Sequence, residues 1–144
     1  MRLSTRTRYG IRAVLELARN YGNGPLQIKT IAARQKLSPK YLEQLMATLK
    51  SAGIVRSIRG SKGGYILARP PEEIKVSQCF DCLEGRVITI ECVTDNNYCS
   101  RMDGCVARGL WTQVQNAVMN VLESMTLKDL VDKAKKGKAL NYSI

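Results

Sequence analysis

Three cysteines fall within 14 residues, spaced Cys92-x6-Cys99-x5-Cys105, in a stretch rich in Asp, Asn, Ser and Gly. Residues 86–104 show no convincing helical or strand periodicity, and thiols on an irregular backbone can turn toward one point. Soft thiolate ligands suit iron–sulfur clusters, zinc or copper(I). Gly104 beside Cys105, and Asn96-Asn97 between the first two cysteines, allow the tight turns that wrapping an ion requires. Three ordinary cysteines are the competing reading, but structural cysteines are usually buried and this loop is too polar to bury three. Three thiolates leave one coordination position open, and a structural zinc wants four protein ligands. The chain has no histidine, so a fourth ligand must be Cys79, Cys82, a carboxylate or a group from a partner subunit. A weakly held fourth position makes a cluster labile, which suits a sensor better than a cross-link. Cys79-x2-Cys82 lies beside Phe80 and Leu83 and reads as small apolar residues facing a core rather than as a redox pair.

The second chemical feature is cationic. Ile54 to Ile58 and Tyr65 to Leu67 are strand-like, and between them stand Arg59, Gly60, Ser61, Lys62, Gly63 and Gly64. Glycines allow φ > 0 and let a backbone approach another surface closely. Two cations at such a tip suit a polyanionic surface. A helix-forming run ends just upstream at Ala52-Gly53, so the hairpin follows a helix directly. That is the layout of a wing beside a DNA-reading helix.

Charge agrees with this reading. Residues 1–75 hold 15 Lys/Arg against 4 Asp/Glu, whereas residues 76–144 hold 8 against 8, so the whole net charge of +11 lies in the hairpin half. A basic first half and a neutral second half fit a nucleic-acid reader joined to a sensing or assembly module. The 144 residues are enough for one compact domain, or a small domain with a dimerisation arm. No run approaches the ~18 apolar residues of a membrane span, and no apolar signal region opens the chain, so the expected location is cytoplasmic. Five cysteines in such a chain are unsuited to a disulfide framework. An enzyme is not expected, because there is no histidine, no nucleophile–base pair and no phosphate-binding loop at a strand–helix junction. Recognition of RNA is disfavoured because only Tyr65 offers a stacking aromatic on the hairpin.

The elements that must position these groups are mostly helices. Ala13, Val14, Leu17, Ala18 and Tyr21 recur at helical spacing and predict a helix over Thr5 to Tyr21, ended by Gly22-Asn-Gly-Pro25. Leu26 to Ile28 is a short extended piece, and Lys29 to Gln35 a second helix. Ser38-Pro39 is a hydroxyl N-cap with proline at the first helical position. The third helix runs to about Ala52, with Leu42, Leu45, Met46 and Leu49 inward and Lys40, Glu43, Gln44 and Ala47 away from that stripe. Ser77 is expected to cap a short helix over Gln78 to Glu84. A long helix covers about Val106 to Ser124, with Leu110, Val114, Ala117, Val118, Val121, Leu122 and Met125 lining one face. Thr126-Leu-Lys-Asp129 is a capping box opening a last helix, and Lys135 to Ile144 reads as a loose basic tail. A wide apolar stripe on a helix of about 20 residues needs a partner surface. A second copy is the simplest one, giving a twofold dimer.

The fold class is therefore mainly α with a small β-hairpin: a winged helix-turn-helix over residues 1–70, then a cysteine-containing sensor loop and dimerisation helices over residues 71–144. The chain resembles the bacterial winged-helix regulators typified by the iron–sulfur cluster regulator IscR, the nitric-oxide sensor NsrR and the cysteine-metabolism regulator CymR. The resemblance rests on Met1-Arg-Leu-Ser-Thr-x-x-Arg-Tyr-Gly10, Tyr41-Leu-Glu-Gln-Leu45 and Gly53-Ile-Val-Arg-Ser-Ile-Arg-Gly-x-x-Gly-Gly-Tyr65. It continues through Leu83-Glu-Gly85, Cys105-x5-Trp111 and Thr126-Leu-x-Asp-Leu130.

The resemblance implies a homodimeric repressor that places its third helix in the major groove and its hairpin in the minor groove of double-stranded DNA. Ser38, Lys40, Tyr41, Glu43 and Gln44 would then face base edges or phosphates, and Ser57, Arg59, Gly60 and Lys62 would work at the minor groove. Gln44 suits an adenine edge and Glu43 a cytosine amino group, and Arg59 suits a narrow minor groove. Tyr41 has packing against the first helix as its alternative role. The resemblance also implies an iron–sulfur cluster on Cys92, Cys99 and Cys105, with 2Fe-2S preferred to 4Fe-4S. Two positions that supply a fourth ligand in relatives are Arg108 and Arg8 here, so that ligand stays open. The alternative is a cluster-free winged-helix regulator of sulfur metabolism that senses thiol oxidation or a partner enzyme of cysteine metabolism.

Overall fold

The computed structural model describes residues 2–85 and 90–142, with side chains described as far as Gly137. Residues 86–89 of the expected irregular stretch, and the last two of the expected tail, lie outside the described residues. Helices α1 (Thr5–Arg19), α2 (Ile28–Gln35) and α3 (Pro39–Ser51) precede an antiparallel hairpin of β1 (Val55–Ile58) and β2 (Gly64–Leu67). A 3-10 turn (Pro71–Glu73) leads to α4 (Val76–Glu84), α5 (Glu91–Thr94), α6 (Val106–Ser124) and α7 (Leu127–Tyr142). No described helix is long and apolar enough to cross a membrane.

Local chemistry explains the boundaries. Ser4 caps α1 by accepting from the Thr7 N–H, and Ser38 caps α3 by accepting from the Tyr41 N–H at 3.1 Å. Helix α1 ends at Arg19, short of the expected Tyr21, because Asn20 leaves helical geometry and its side-chain amide donates to the Gly24 carbonyl. Helix α4 starts at Val76, so Ser77 is not its cap. Lys75 holds that position, with its N–H donating to Gln78 Oε1 at 3.0 Å, and Ser77 is buried. The capping box at α7 forms in both directions between Thr126 and Asp129. Helix α7 continues to Tyr142, through most of the stretch expected to be a loose tail. The cysteine stretch gains one short helix, α5.

The core is one cluster. Leu42, Leu45, Met46 and Leu49 of α3 are at most 1% exposed, each contributing about 1.5–3 kcal/mol on burial. They meet Val14 and Leu17 of α1, Ile31 of α2 and Ile54, Val55 and Leu67 around the hairpin. Ile74, Cys79, Leu83, Leu127 and Val131 join the same cluster, so α4 and α7 share it. Gly10 makes this possible at the α1–α4 contact, where a Cβ would stand 2.5 Å from Leu83 Cδ1. Backbone bonds between Val76 and Met125, and between Leu127 and Ile74, fasten the start of α4 to that of α7.

Candidate nucleic-acid interface and cysteine cleft

Helix α3 divides cleanly into a buried face and an exposed one. Lys40, Glu43, Gln44 and Ala47 are exposed, and their three- and four-residue spacing aligns them on one face. Ser38 is exposed too, although its hydroxyl oxygen already caps the helix. Tyr41 is half-buried, and its ring meets Tyr9 of α1 edge-on with centroids 6.3 Å apart. The Arg12 guanidinium lies 5.5 Å from the Tyr9 ring centre, within cation–π range. Tyr41 therefore packs on the first helix.

The wing is anchored at its base. Leu26 exchanges backbone hydrogen bonds with Tyr65 at 3.0 and 2.8 Å, so the expected extended piece acts as a one-residue third strand. Gly64, with φ of +152°, lies against Leu26, where a Cβ would stand 2.5 Å from the carbonyl carbon. Beyond this anchor Ser57, Arg59, Gly60 and Lys62 are all exposed. The ion pairs among the described residues are Arg34–Glu16 and Lys128–Asp132. Lys40, Arg56, Arg59 and Lys62 thus carry charge that no described carboxylate neutralises.

The second site lies between the cysteine stretch and α6. Cys92, Cys99 and Cys105 line one cleft of about 240 Å³ together with Tyr98, Arg101, Met102, Arg108 and Trp111. Arg108 of α6 donates to the Cys92 carbonyl at 2.9 Å and to Asn96 Oδ1 at 3.2 Å, pinning the loop to the helix. The Arg101 N–H donates to Cys99 Sγ at 3.4 Å. Cys105 is the N-cap of α6, at the helix pole that favours negative charge. A hydrogen bond to Glu91, and then its charge, raise the Tyr98 phenol above its ordinary range, so it offers no ready phenolate. Cys79 stands apart: it is fully buried, and burial pushes its thiol up to about 12. Burial also raises Cys82, whose Sγ–H donates to the Cys79 carbonyl at 3.2 Å.

The sequence over residues 3–133 matches Rrf2, described as an iron-dependent transcriptional regulator. The chain belongs to the Rrf2 family of transcriptional regulators. It is 41% identical over 130 residues to the HTH-type transcriptional regulator CymR of Bacillus subtilis, covering 90% of this chain and 89% of the relative. The solved structure of CymR, the global cysteine regulator of B. subtilis, superposes with a TM-score of 0.82 at 38% identity, covering 92% of this chain and 98% of that one. The structure of T. potens IscR gives 0.78 at 40% identity, covering 95% and 90%. The Rrf2 relatives are named as regulators rather than enzymes, and DNA-binding regulation is the activity they support.

An iron–sulfur group on this Rrf2 chain can be judged from its donors. Three soft sulfurs facing one cleft fit the chemistry of such a group. Among the described residues, however, no three Cys, Asp or Glu side chains are gathered closely enough to hold an ion as they stand, so the loop would have to draw its three thiolates together around such a group. Arg108, which lines the cleft, is a donor only and cannot be a ligand. Three structural contacts carry no signal in the sequence. Arg6 Nη2 donates to Thr48 Oγ1 on α3 at 2.8 Å, Gln27 Nε2 donates to the Ser61 carbonyl at the wing tip, and Arg108 holds the loop. These pairs are 42, 34 and 16 residues apart, and no local pattern encodes such contacts.

Proposed function

We propose that the protein is a cytoplasmic homodimeric repressor whose affinity for double-stranded DNA responds to an iron–sulfur cluster held by Cys92, Cys99 and Cys105. The observation that carries this reading is the coexistence of an unneutralised basic wing and a cleft that all three loop cysteines line. Helix α3 enters the major groove, where Gln44 and Glu43 read base edges, Ser38 and Lys40 meet base edges or phosphates, and the hydroxyl of Tyr41, whose ring packs on α1, meets a phosphate. The wing lies in the minor groove with Arg59 inserted and Ser57, Gly60 and Lys62 against the backbone. Residues 1–70 work as the DNA reader and residues 71–144 as the sensing and dimerising part.

Dimerisation is supported by α6. None of its 19 residues is buried, and Val106, Leu110, Trp111, Val114 and Val121 are 42–89% exposed. An apolar stripe of that length is covered most simply by its own copy about a twofold axis. A cluster would supply a charged, reversible cross-link among the three thiolates. Drawing the three thiolates together would favour one placement of the two wings over another and so change the fit to two half-sites. The test is anaerobic purification with visible absorption, iron and sulfide assays. The wild type is expected to hold iron and sulfide near stoichiometry, and a Cys92/Cys99/Cys105 triple-serine variant to hold neither. A triple variant with full iron and sulfide sinks the assignment.

A second reading is favoured by the exposure of Cys99 and Cys105 and by the likeness to a cysteine regulator. In it, oxidation of the loop thiols or a partner enzyme of cysteine metabolism sets DNA affinity without a cluster. Peptide mapping for a disulfide among the three cysteines separates the two.

A further inference from the structure

The Leu83-Glu-Gly85 segment has no part in either site, yet Glu84 makes some of the longest-range polar contacts described. Its Oε2 accepts from the Ser4 hydroxyl at 2.6 Å, from the Ser4 N–H at 3.3 Å and from the Thr7 hydroxyl. The end of α4 is thereby tied to the first turn of α1, 80 residues away in sequence. That first turn carries Arg6, which donates to Thr48 Oγ1 on α3 at 2.8 Å. The Thr48 hydroxyl donates in turn to the Gln44 carbonyl at 3.2 Å. Helix α4 also packs on α6, the helix whose Arg108 grips the Cys92 carbonyl.

We infer that Glu84 is the positioning residue that transmits the state of the cysteine cleft to the DNA-reading helix, through Ser4 and Thr7 to Arg6, Thr48 and the Gln44 turn. The inference rests on the proposed control of DNA binding by the cysteine cleft. A shift of α6 that accompanies a change at Cys92 tilts α4, and α4 is tied at its C-terminal end to a helix cap. A carboxylate that accepts three hydrogen bonds, in charge-assisted geometry, holds that cap in one arrangement. Release of the cap would free the first turn of α1, and a second arrangement of that turn is what the coupling requires. Arg6 then leaves Thr48, and the turn bearing Gln44 loses a clamp on its exposed side.

The experiment measures DNA affinity with and without reconstitution by ferrous iron and sulfide. It uses full-length protein and a duplex selected from a random-sequence pool. The wild type is expected to show an affinity ratio between the two states of about fivefold or more. Glu84→Ala is expected to reduce that ratio to within about twofold, with iron uptake retained. Thr48→Val, at the far end of the path, removes the acceptor of Arg6 and is expected to reduce the ratio likewise; it decides alone if Glu84→Ala fails to fold. Either folded variant keeping the wild-type ratio overturns the inference while leaving the regulatory reading intact. A wild-type ratio of one overturns that reading, and this inference with it.

Discussion

Replacing Gly64 by alanine puts a methyl group where the chain already has backbone. The new Cβ would stand 2.5 Å from the Leu26 carbonyl carbon and 2.9 Å from the Gln27 nitrogen. Gly60 is the matched control: its φ is also positive, +112°, but nothing lies within 4 Å of its Cβ position. Both substitutions carry backbone strain of about 1–3 kcal/mol. Only Gly64→Ala adds overpacking, about 1–3 kcal/mol if the contact is endured. The chain can instead release the Leu26–Tyr65 bridge, losing two hydrogen bonds at about 0.5–1.5 kcal/mol each. The cheaper response sets the cost, so Gly64→Ala is expected to be about 2 kcal/mol less stable than Gly60→Ala. Urea unfolding of the two variants and the wild type measures this. Equal unfolding midpoints for the two variants would refute the claim that the wing is anchored on the α1–α2 connection.

Three further outcomes are expected. Arg59→Ala should weaken DNA binding and lower the slope of log affinity against log salt by up to about one; unchanged affinity at matched salt would remove Arg59 from the interface. In mildly alkaline buffer, iodoacetamide should label the exposed Cys99 and Cys105 of iron-free protein readily and spare Cys79, whose thiol burial pushes up to about 12; comparable labelling of Cys79 in the folded protein would contradict its placement. Hydrogen bonds from Ser4 and then Thr7 hold the Glu84 carboxyl below its ordinary value, so its stabilisation is present above that value and is lost as pH falls through the lower, folded-state one. The stability gap between the wild type and Glu84→Gln should therefore narrow on acidification through the carboxylate range, and a gap independent of pH would count against those contacts.

Much of the first half of the chain was legible because its signals are local. Ser38-Pro39 marked the start of α3, the spacing of Leu42, Leu45, Met46 and Leu49 marked its buried face, and the glycines after Arg59 marked the wing. The long helix was legible for the same reason, since Val106 to Ser124 keeps one apolar face. The start of α4 was misread because a serine hydroxyl outranks lysine as a cap by propensity, whereas tertiary packing buries Ser77 and leaves Lys75 at the boundary. The last helix was cut short at Lys135 because Gly137 lowers helix propensity and the run of lysines interrupts the apolar pattern. The helix nonetheless continues from a well-capped start. The grip of Arg108 on the cysteine stretch and the bond between Glu84 and Ser4 depend on how helices cross. They are invisible to any pattern read along one segment.

The most direct test of the central claim is DNA affinity measured without air, on one selected duplex, for iron- and sulfide-reconstituted protein, unloaded protein and the Cys92/Cys99/Cys105 triple-serine variant. Reconstitution is expected to change the affinity of the wild type by about fivefold or more and to leave the triple variant unmoved. Equal affinity of loaded and unloaded wild type would contradict it.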